Sequence, residues 1–195
     1  PIEVGEKILI RPTWRDKYDP KGRVVLNLDP GLAFGTGTHE TTRLCLQAVE
    51  KYTTPDTEML DVGCGSGILS VAALLLGAKG AVGVDIDEMA VKTAKENAVL
   101  NGVENRFTVL AGNLTDKVEG KYNVVAANIV ADAIIMLSKD IKNYMYDDSV
   151  YIMSGIIDTR VDDVLNAIGD TFEIKEKLLE NGWCCLVATL KKEQK

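Results

Sequence analysis

Histidine occurs once in the 195 residues, at His39, so a multi-histidine metal centre is excluded and a Ser-His-Asp triad would have to use that one side chain. The four cysteines, Cys45, Cys64, Cys184 and Cys185, form no Cys-x-x-Cys pair and have no histidines at zinc spacing. No metal is therefore expected, and reduced thiols fit a cytoplasmic chain. Positive charge is also short, with 22 Lys and Arg against 29 Asp and Glu and a net charge of -7. The imbalance lies beyond residue 23, where 16 basic side chains face 25 acidic ones. An acidic body repels a phosphate backbone, so no direct nucleic-acid partner is expected and a cationic substrate is favoured. Long apolar runs are missing too: the longest uncharged stretch, 62–78, is 17 residues and is broken by four glycines. It reads as a buried strand, loop and helix, so no membrane partner is expected. No signal-peptide pattern opens the chain, and Pro1 in place of methionine is what a piece of a longer chain would show.

What is present is ordinary for a globular protein, with 46% hydrophobic and 26% charged residues. Residues 1–29 read as N-terminal strands and a linker, with Ile8–Ile10 and Val24–Leu28 on either side of a turn at 19–22. Residues 30–195 read as the main domain. A glycine-rich loop at 30–37 leads into a helix over 39–52, for which Thr38 is a suitable N-cap. Beyond residue 58 the chain alternates. Apolar runs at 59–62, 81–84, 107–110, 122–127 and 150–153 predict strands, and the stretches 68–76, 88–100, 131–142 and 158–168 between them predict helices. Ala90, Val91, Ala94 and Ala98 share one face of the second of these helices, which Asp87 can cap and Gly102 can close. Strands joined by single helices imply right-handed crossovers and a parallel sheet covered on both faces. The end departs from this pattern, because 172–180 and 183–191 flank Asn181-Gly182, a tight hairpin pair. The expectation is a doubly wound α/β fold, a mostly parallel seven-stranded sheet with an antiparallel C-terminal hairpin strand.

The informative segment is Asp61-Val62-Gly63-Cys64-Gly65-Ser66-Gly67, where a buried strand turns into a helix. Glycines there allow a tight turn and bring backbone N–H groups against a ligand, so an anionic or polar group is expected. The spacing is neither that of nicotinamide-binding folds nor that of the phosphate loop, and a strand-to-helix turn without a ligand remains open. Asp85 ends the next strand, 18 residues after Gly67, where a carboxylate can accept from both hydroxyls of a ribose. Loop and carboxylate together point to a cofactor bearing a nucleoside. His39 falls in the first turn of its helix, where a structural, hydrogen-bonded role outweighs that of a general base. Cys64 reads as a small buried filler, and Trp14 and Trp183 are left unassigned.

The glycine segment, Asp85 and the terminal hairpin resemble the class I methyltransferases that use S-adenosylmethionine, whose sheet is Rossmann-like. Pro30-Gly31-Leu32-Ala33-Phe34-Gly35-Thr36-Gly37-Thr38-His39-Glu40-Thr41-Thr42 and Ala127-Asn128-Ile129 are more specific. They resemble the family of enzymes that methylate amino groups of protein L11 of the large ribosomal subunit, over the chain from about Gly5 to its end. The resemblance implies an enzyme that transfers methyl groups from S-adenosylmethionine, leaving S-adenosylhomocysteine, to a lysine side chain and the N-terminal amine of that protein. It implies that Gly63, Gly65 and Gly67 hold the methionine part, Asp85 the ribose, and Ile86, Asn113 and Leu114 further cofactor contacts. Asn113 departs from the wider superfamily, which often has an acidic residue beside the adenine. Phe34, Gly35, Thr36 and Thr42 would close over the cofactor, and Asn128 would be the catalytic residue beside the methyl group as well as a cofactor contact. The family carries a small α/β substrate-presenting domain before the catalytic one, and this chain is expected to hold the catalytic part alone. The alternatives are a methyltransferase of a small molecule or RNA, though Ala-Asn-Ile-Val lacks the Asn-Pro-Pro-aromatic run of many such enzymes, and a nucleotide-binding module without catalysis.

Overall fold

In β7 (Tyr122–Asn128) the four residues Val124 to Ala127 are all buried, as a central strand covered on both faces requires. This holds in a computed structural model, which describes residues 1–14, 17–28 and 39–192. The other strands of that sheet are β4 (Glu58–Val62), β5 (Gly80–Asp85), β6 (Phe107–Ala111), β8 (Met145–Ile157), β9 (Phe172–Glu180) and β10 (Trp183–Leu190). Their order is β6-β5-β4-β7-β8-β10-β9. The pairs β4–β5, β5–β6, β4–β7 and β7–β8 are parallel, whereas β10 is antiparallel to both neighbours. The hairpin thus reverses β10, inserted between β8 and the edge strand β9.

Alternate strand residues feed two cores. Met59 and Val124 pack with α1 (Glu40–Tyr52), α2 (Ile68–Leu75) and α3 (Glu88–Leu100) on one face. Leu60 and Val125 pack with α4 (Ala131–Leu137) and α5 (Val161–Ile168) on the other. A doubly wound α/β sheet is the result. A second sheet, β1 (Ile2–Val4), β2 (Ile8–Pro12) and β3 (Val24–Leu28), adds Ile8, Ile10 and Leu26 to the first core. Its β2–β3 pair is parallel. Two side chains tie it down. The Glu50 carboxylate accepts from the N–H groups of Glu6 and Lys7 at 3.0 and 3.1 Å. Asn101, the C-cap of α3, accepts from Asn27 N–H at 2.8 Å and donates to Asn27 C=O at 2.9 Å.

Several local expectations are corrected. The N-cap of α1 is His39, not Thr38: His39 is extended (φ -76°, ψ 144°) and its Nδ1 accepts from Thr41 N–H at 3.2 Å. Thr38 itself lies outside the described residues. The helix expected over 131–142 stops at Leu137, after which the Ser138 hydroxyl bonds back to Ile134 C=O at 2.6 Å and a 3-10 turn follows at Ile141–Tyr144; such back-bonding competes with helix continuation. The strand expected over 150–153 runs from Met145 to Ile157. Its first half includes exposed Asp147 and Asp148 and is held by the buried Ser149 hydroxyl, which donates to Tyr122 C=O at 2.6 Å. Strand β1 carries too few residues to give an apolar pattern.

Asn101→Ala removes both bonds to β3 and leaves a half-buried backbone pair unmatched, for an expected loss on the order of 1–3 kcal/mol. Urea denaturation would measure that loss, and amide exchange should speed up first at 24–28.

Candidate functional site

The carboxyl ends of β4, β5 and β7 meet at one edge of the sheet, and the turns that leave them enclose a cleft of about 350 Å³. Thr42, Asp61, Gly63, Cys64, Gly65, Asp85, Asp87 and Asn128 line it, with Ile68, Leu69, Met89 and Ala90 as apolar wall. This is where open α/β sheets bind ligands.

The glycine loop turns because Gly63, Gly65 and Gly67 take φ of 68°, 52° and 78°, values open to glycine at little cost. Four of its N–H groups are turned inward. Gly63 and Cys64 both donate to Val84 C=O at 2.8 and 3.0 Å, Gly67 donates to Cys64 C=O at 2.8 Å, and Gly65 donates to the Asp85 carboxylate at 2.9 Å. These four donors serve the protein and are not offered to a ligand. Gly67 is moreover the N-cap of α2, with the Phe107 ring and Ala94 where a side chain would be. It does not line the cleft.

Asp61 is the residue that sequence reasoning left out of the site. It is 1% exposed; its Oδ2 accepts from the Ser70 hydroxyl at 2.8 Å, and its Oδ1 is buried without a hydrogen-bond partner. Burial pushes its carboxyl up from the ordinary 3.8 to about 7, the Ser70 bonds working against that and the nearby Asp85 charge adding to it. Burial likewise pushes the Cys64 thiol far up, which makes it the inert filler expected. An aspartate in the first position of a glycine loop was visible in the sequence; an unpaired oxygen beneath it was not.

Asp85 sits at the end of β5 with Oδ2 on Gly65 N–H and Oδ1 on Asp87 N–H, both at 2.9 Å. It therefore fixes the loop as well as facing the cleft. Asp87 caps α3 through Met89 N–H. Opposite, the Asn128 amide donates to Thr42 Oγ1 at 3.2 Å, joining β7 to α1. The Ser154 hydroxyl reinforces this joint, donating to Thr41 C=O at 2.7 Å.

Of the expected cofactor contacts, Thr42, Gly63, Gly65, Asp85 and Asn128 converge on the cleft. Ile86 is 73% exposed beside it. Asn113 and Leu114 follow β6, where Gly112 N–H bonds Asp85 C=O at 3.0 Å, placing their turn next to Asp85 without lining the cleft. Phe34, Gly35 and Thr36 lie outside the described residues. His39 binds Thr41 through Nδ1 and meets Trp183 edge-on at 5.1 Å, a capping role.

This strand order with its reversed β10, and a cleft at the carboxyl ends of β4 and β5, define a Rossmann-like methyltransferase fold. The sequence profile described as Ribosomal protein L11 methyltransferase (PrmA) matches residues 1–191, and the chain belongs to that family. A ribosomal protein L11 methyltransferase of Clostridium perfringens is 49% identical over 193 residues, 98% of this chain; the chain spans 61% of that relative's length. The crystal structure of a ribosomal protein L11 methylase from Lactobacillus delbrueckii subsp. bulgaricus superposes with a TM-score of 0.92 at 34% identity, covering 98% of each chain. A TrmK from M. capricolum, solved in complex with S-adenosylhomocysteine, shares the fold alone, with a TM-score of 0.63 and 19% identity over 76% of this chain and 68% of its own.

A folded-state carboxyl raised from 3.8 to about 7 binds its proton more tightly than in the unfolded chain. Its contribution to stability is thus greatest below pH 4 and is lost as pH rises through about 7. Asp61→Asn, measured without ligand, should remove this component, so that the difference in unfolding free energy between the two proteins moves in favour of the variant between pH 4 and pH 7. An Asp61→Asn protein with an unchanged pH profile would exclude it.

Proposed function

We propose that this chain binds S-adenosylmethionine in the cleft and transfers its methyl group to amino groups of ribosomal protein L11, a lysine side chain and the N-terminal amine, in the cytoplasm. The observation that carries the cofactor reading is the partnerless Asp61 Oδ1 below a glycine loop in which the N–H groups of Gly63, Cys64, Gly65 and Gly67 are already engaged. A dinucleotide or nucleoside phosphate needs free N–H groups and no buried carboxylate beneath them. A ligand with a cationic amino-acid end and a ribose needs the reverse, and the cleft has it. Asp61 is the group for the ammonium. Asp85 is the group for the ribose, its carboxylate retaining lone pairs beyond its two backbone bonds. Gly63 and Gly65 allow close approach, Thr42 and Asn128 close the far wall, and Ile86, Asn113 and Leu114 flank the Asp85 end.

The cofactor, when bound, supplies an electrophilic methyl on a sulfonium. The chain's part is to receive and orient an amine. A lysine ammonium with an unperturbed pKa of about 10.4 has no lone pair to offer. A carboxylate at the acceptor position would hold it in that form, whereas the neutral Asn128 carbonyl accepts from amine protons without favouring the cation. Thr42 fixes the amide by taking its N–H, which turns the carbonyl to the other side. Positioning of this kind contributes several kcal/mol to an in-line displacement, about 7–11 kcal/mol at best. The acceptor protein is supported by membership in the family. Among the described residues no helix is long and apolar enough to cross a membrane.

Calorimetry should show binding of S-adenosylmethionine and none of NAD. The affinity should increase as pH rises through about 7, because the ammonium replaces the Asp61 proton, and Asp61→Asn should flatten that dependence. Asp85→Ala should cost about 1.5–3 kcal/mol of binding. A chain that binds NAD as well as S-adenosylmethionine, or binds neither, would overturn the reading. Asn128→Ala should lower methyl incorporation into L11 more than it lowers cofactor affinity.

A further inference from the structure

Strand β8 contains an irregularity beside Asn128. On β10, Cys184 is opposite Ile156 and Leu186 is opposite Met153, so Ser154 and Gly155 together face Cys185. That is a β-bulge, a device that bends a strand and re-aims what lies next to it. Gly155 takes φ +85°, the left-handed region that the extra residue of such a bulge needs. Ser154 is in register with Asn128 and accepts from Ile129 N–H at 3.1 Å.

The bulge glycine faces two carbonyl oxygens. A side chain's first carbon at Gly155 would lie 2.5 Å from Ile129 O and 3.0 Å from Asn128 Oδ1. The first is a backbone atom and cannot yield without moving the turn after β7. The second belongs to an amide already tied on its other side to Thr42 Oγ1. The amide is thus held between a hydroxyl that takes its N–H and a glycine whose missing side chain lets its oxygen in.

Taking Asn128 as the acceptor-side residue proposed above, we infer that Gly155 is a positioning residue for the methyl acceptor: the bulge sets where Asn128 Oδ1 meets the amine. Gly155 is no part of the cleft lining; it acts through the Asn128 amide. A displacement of a few tenths of an ångström to 1 Å at that oxygen is the kind of error that costs turnover without costing cofactor affinity.

The test is Gly155→Ala in this chain, with three readouts. The first is the affinity for S-adenosylmethionine, expected to stay within about twofold, since the glycine loop and Asp85 are untouched. The second is turnover on L11 at saturating cofactor, expected to fall about 10- to 100-fold. The third is the side-chain NH₂ signal of Asn128 in the NMR spectrum, identified by its loss in Asn128→Ala and expected to shift. In the Asn128→Ala background, where no amide is left to displace, Gly155→Ala should reduce turnover far less. Gly155→Asn serves as a second variant, because asparagine adopts positive φ more readily yet carries the same first carbon. An unmoved Asn128 signal with normal turnover would overturn the proposal, as would equal losses in both backgrounds. If the unaltered chain neither binds the cofactor nor methylates L11, the functional reading fails, while the Asn128 signal still decides whether Gly155 sets that amide.

Discussion

Parallel pairing of β4 with β5 on one side and β7 on the other brings three strand ends to one edge. Each end contributes one side chain that matters. Asp61 lies one residue short of the end of β4, while Asp85 ends β5 and Asn128 ends β7. In register, Asp61 is opposite Gly83 and Ala126, small residues that leave room around a buried carboxylate. Move any strand by one residue and its side chains change face, so the relative positions of these three groups are a property of the sheet and not of the loops. The loops then add local fixings: Asp85 holds Gly65, and Thr42 holds Asn128.

A buried carboxylate with an oxygen left unsatisfied is costly, and Ser70 offsets only part of that cost. Folding alone gives no reason to keep it, because an apolar residue in its place would pack against α2 on the Met59 face of the sheet. It makes sense where a cation arrives to complete it, at which point desolvation already suffered by the protein strengthens the attraction. The same reasoning explains why the loop amides are spent on Val84 C=O and the Asp85 carboxylate. Donors aimed into the cleft would favour an anion next to Asp61, and the two requirements cannot both be met in so small a space.

The layers, the strand count of the main sheet and the reversed hairpin strand were legible in the sequence because each has a short-range signature. Apolar runs alternate with amphipathic ones, and Asn181-Gly182 marks the turn. The positions of Gly63 and Asp85 in the cleft were legible for a similar reason, as both lie where a strand must end. What escaped depends on pairing. The parallel β2–β3 pair, the bulge at 154–155 and the tie of Asn101 to Asn27 arise between segments far apart in the chain. Whether the N–H groups of a glycine loop face a ligand or the neighbouring strand likewise depends on where Val84 lies, which spacing does not convey. His39 took the cap expected of Thr38 because a ring nitrogen two residues before Thr41 reaches its N–H once the backbone is extended there, an option that residue preferences rank low.

The charges in the cleft are segregated, and the segregation suits the amine acceptor proposed above. All three carboxylates in its lining, Asp61, Asp85 and Asp87, come from β4, β5 and the start of α3. The wall formed by α1 and β7 contributes Thr42 and Asn128, both neutral. A fourth carboxylate in place of Asn128 would attract a lysine, but it would stabilise the ammonium and so raise the very pKa that has to fall before the nitrogen can act as a nucleophile. An amide accepts the same hydrogen bonds without that effect. It has a weakness, since a neutral acceptor exerts little electrostatic pull and must rely on placement. The constrained surroundings of Asn128 suit the role proposed for it: Thr42 on one side, the Ser154 register below, and a glycine at 155 where any side chain would intrude.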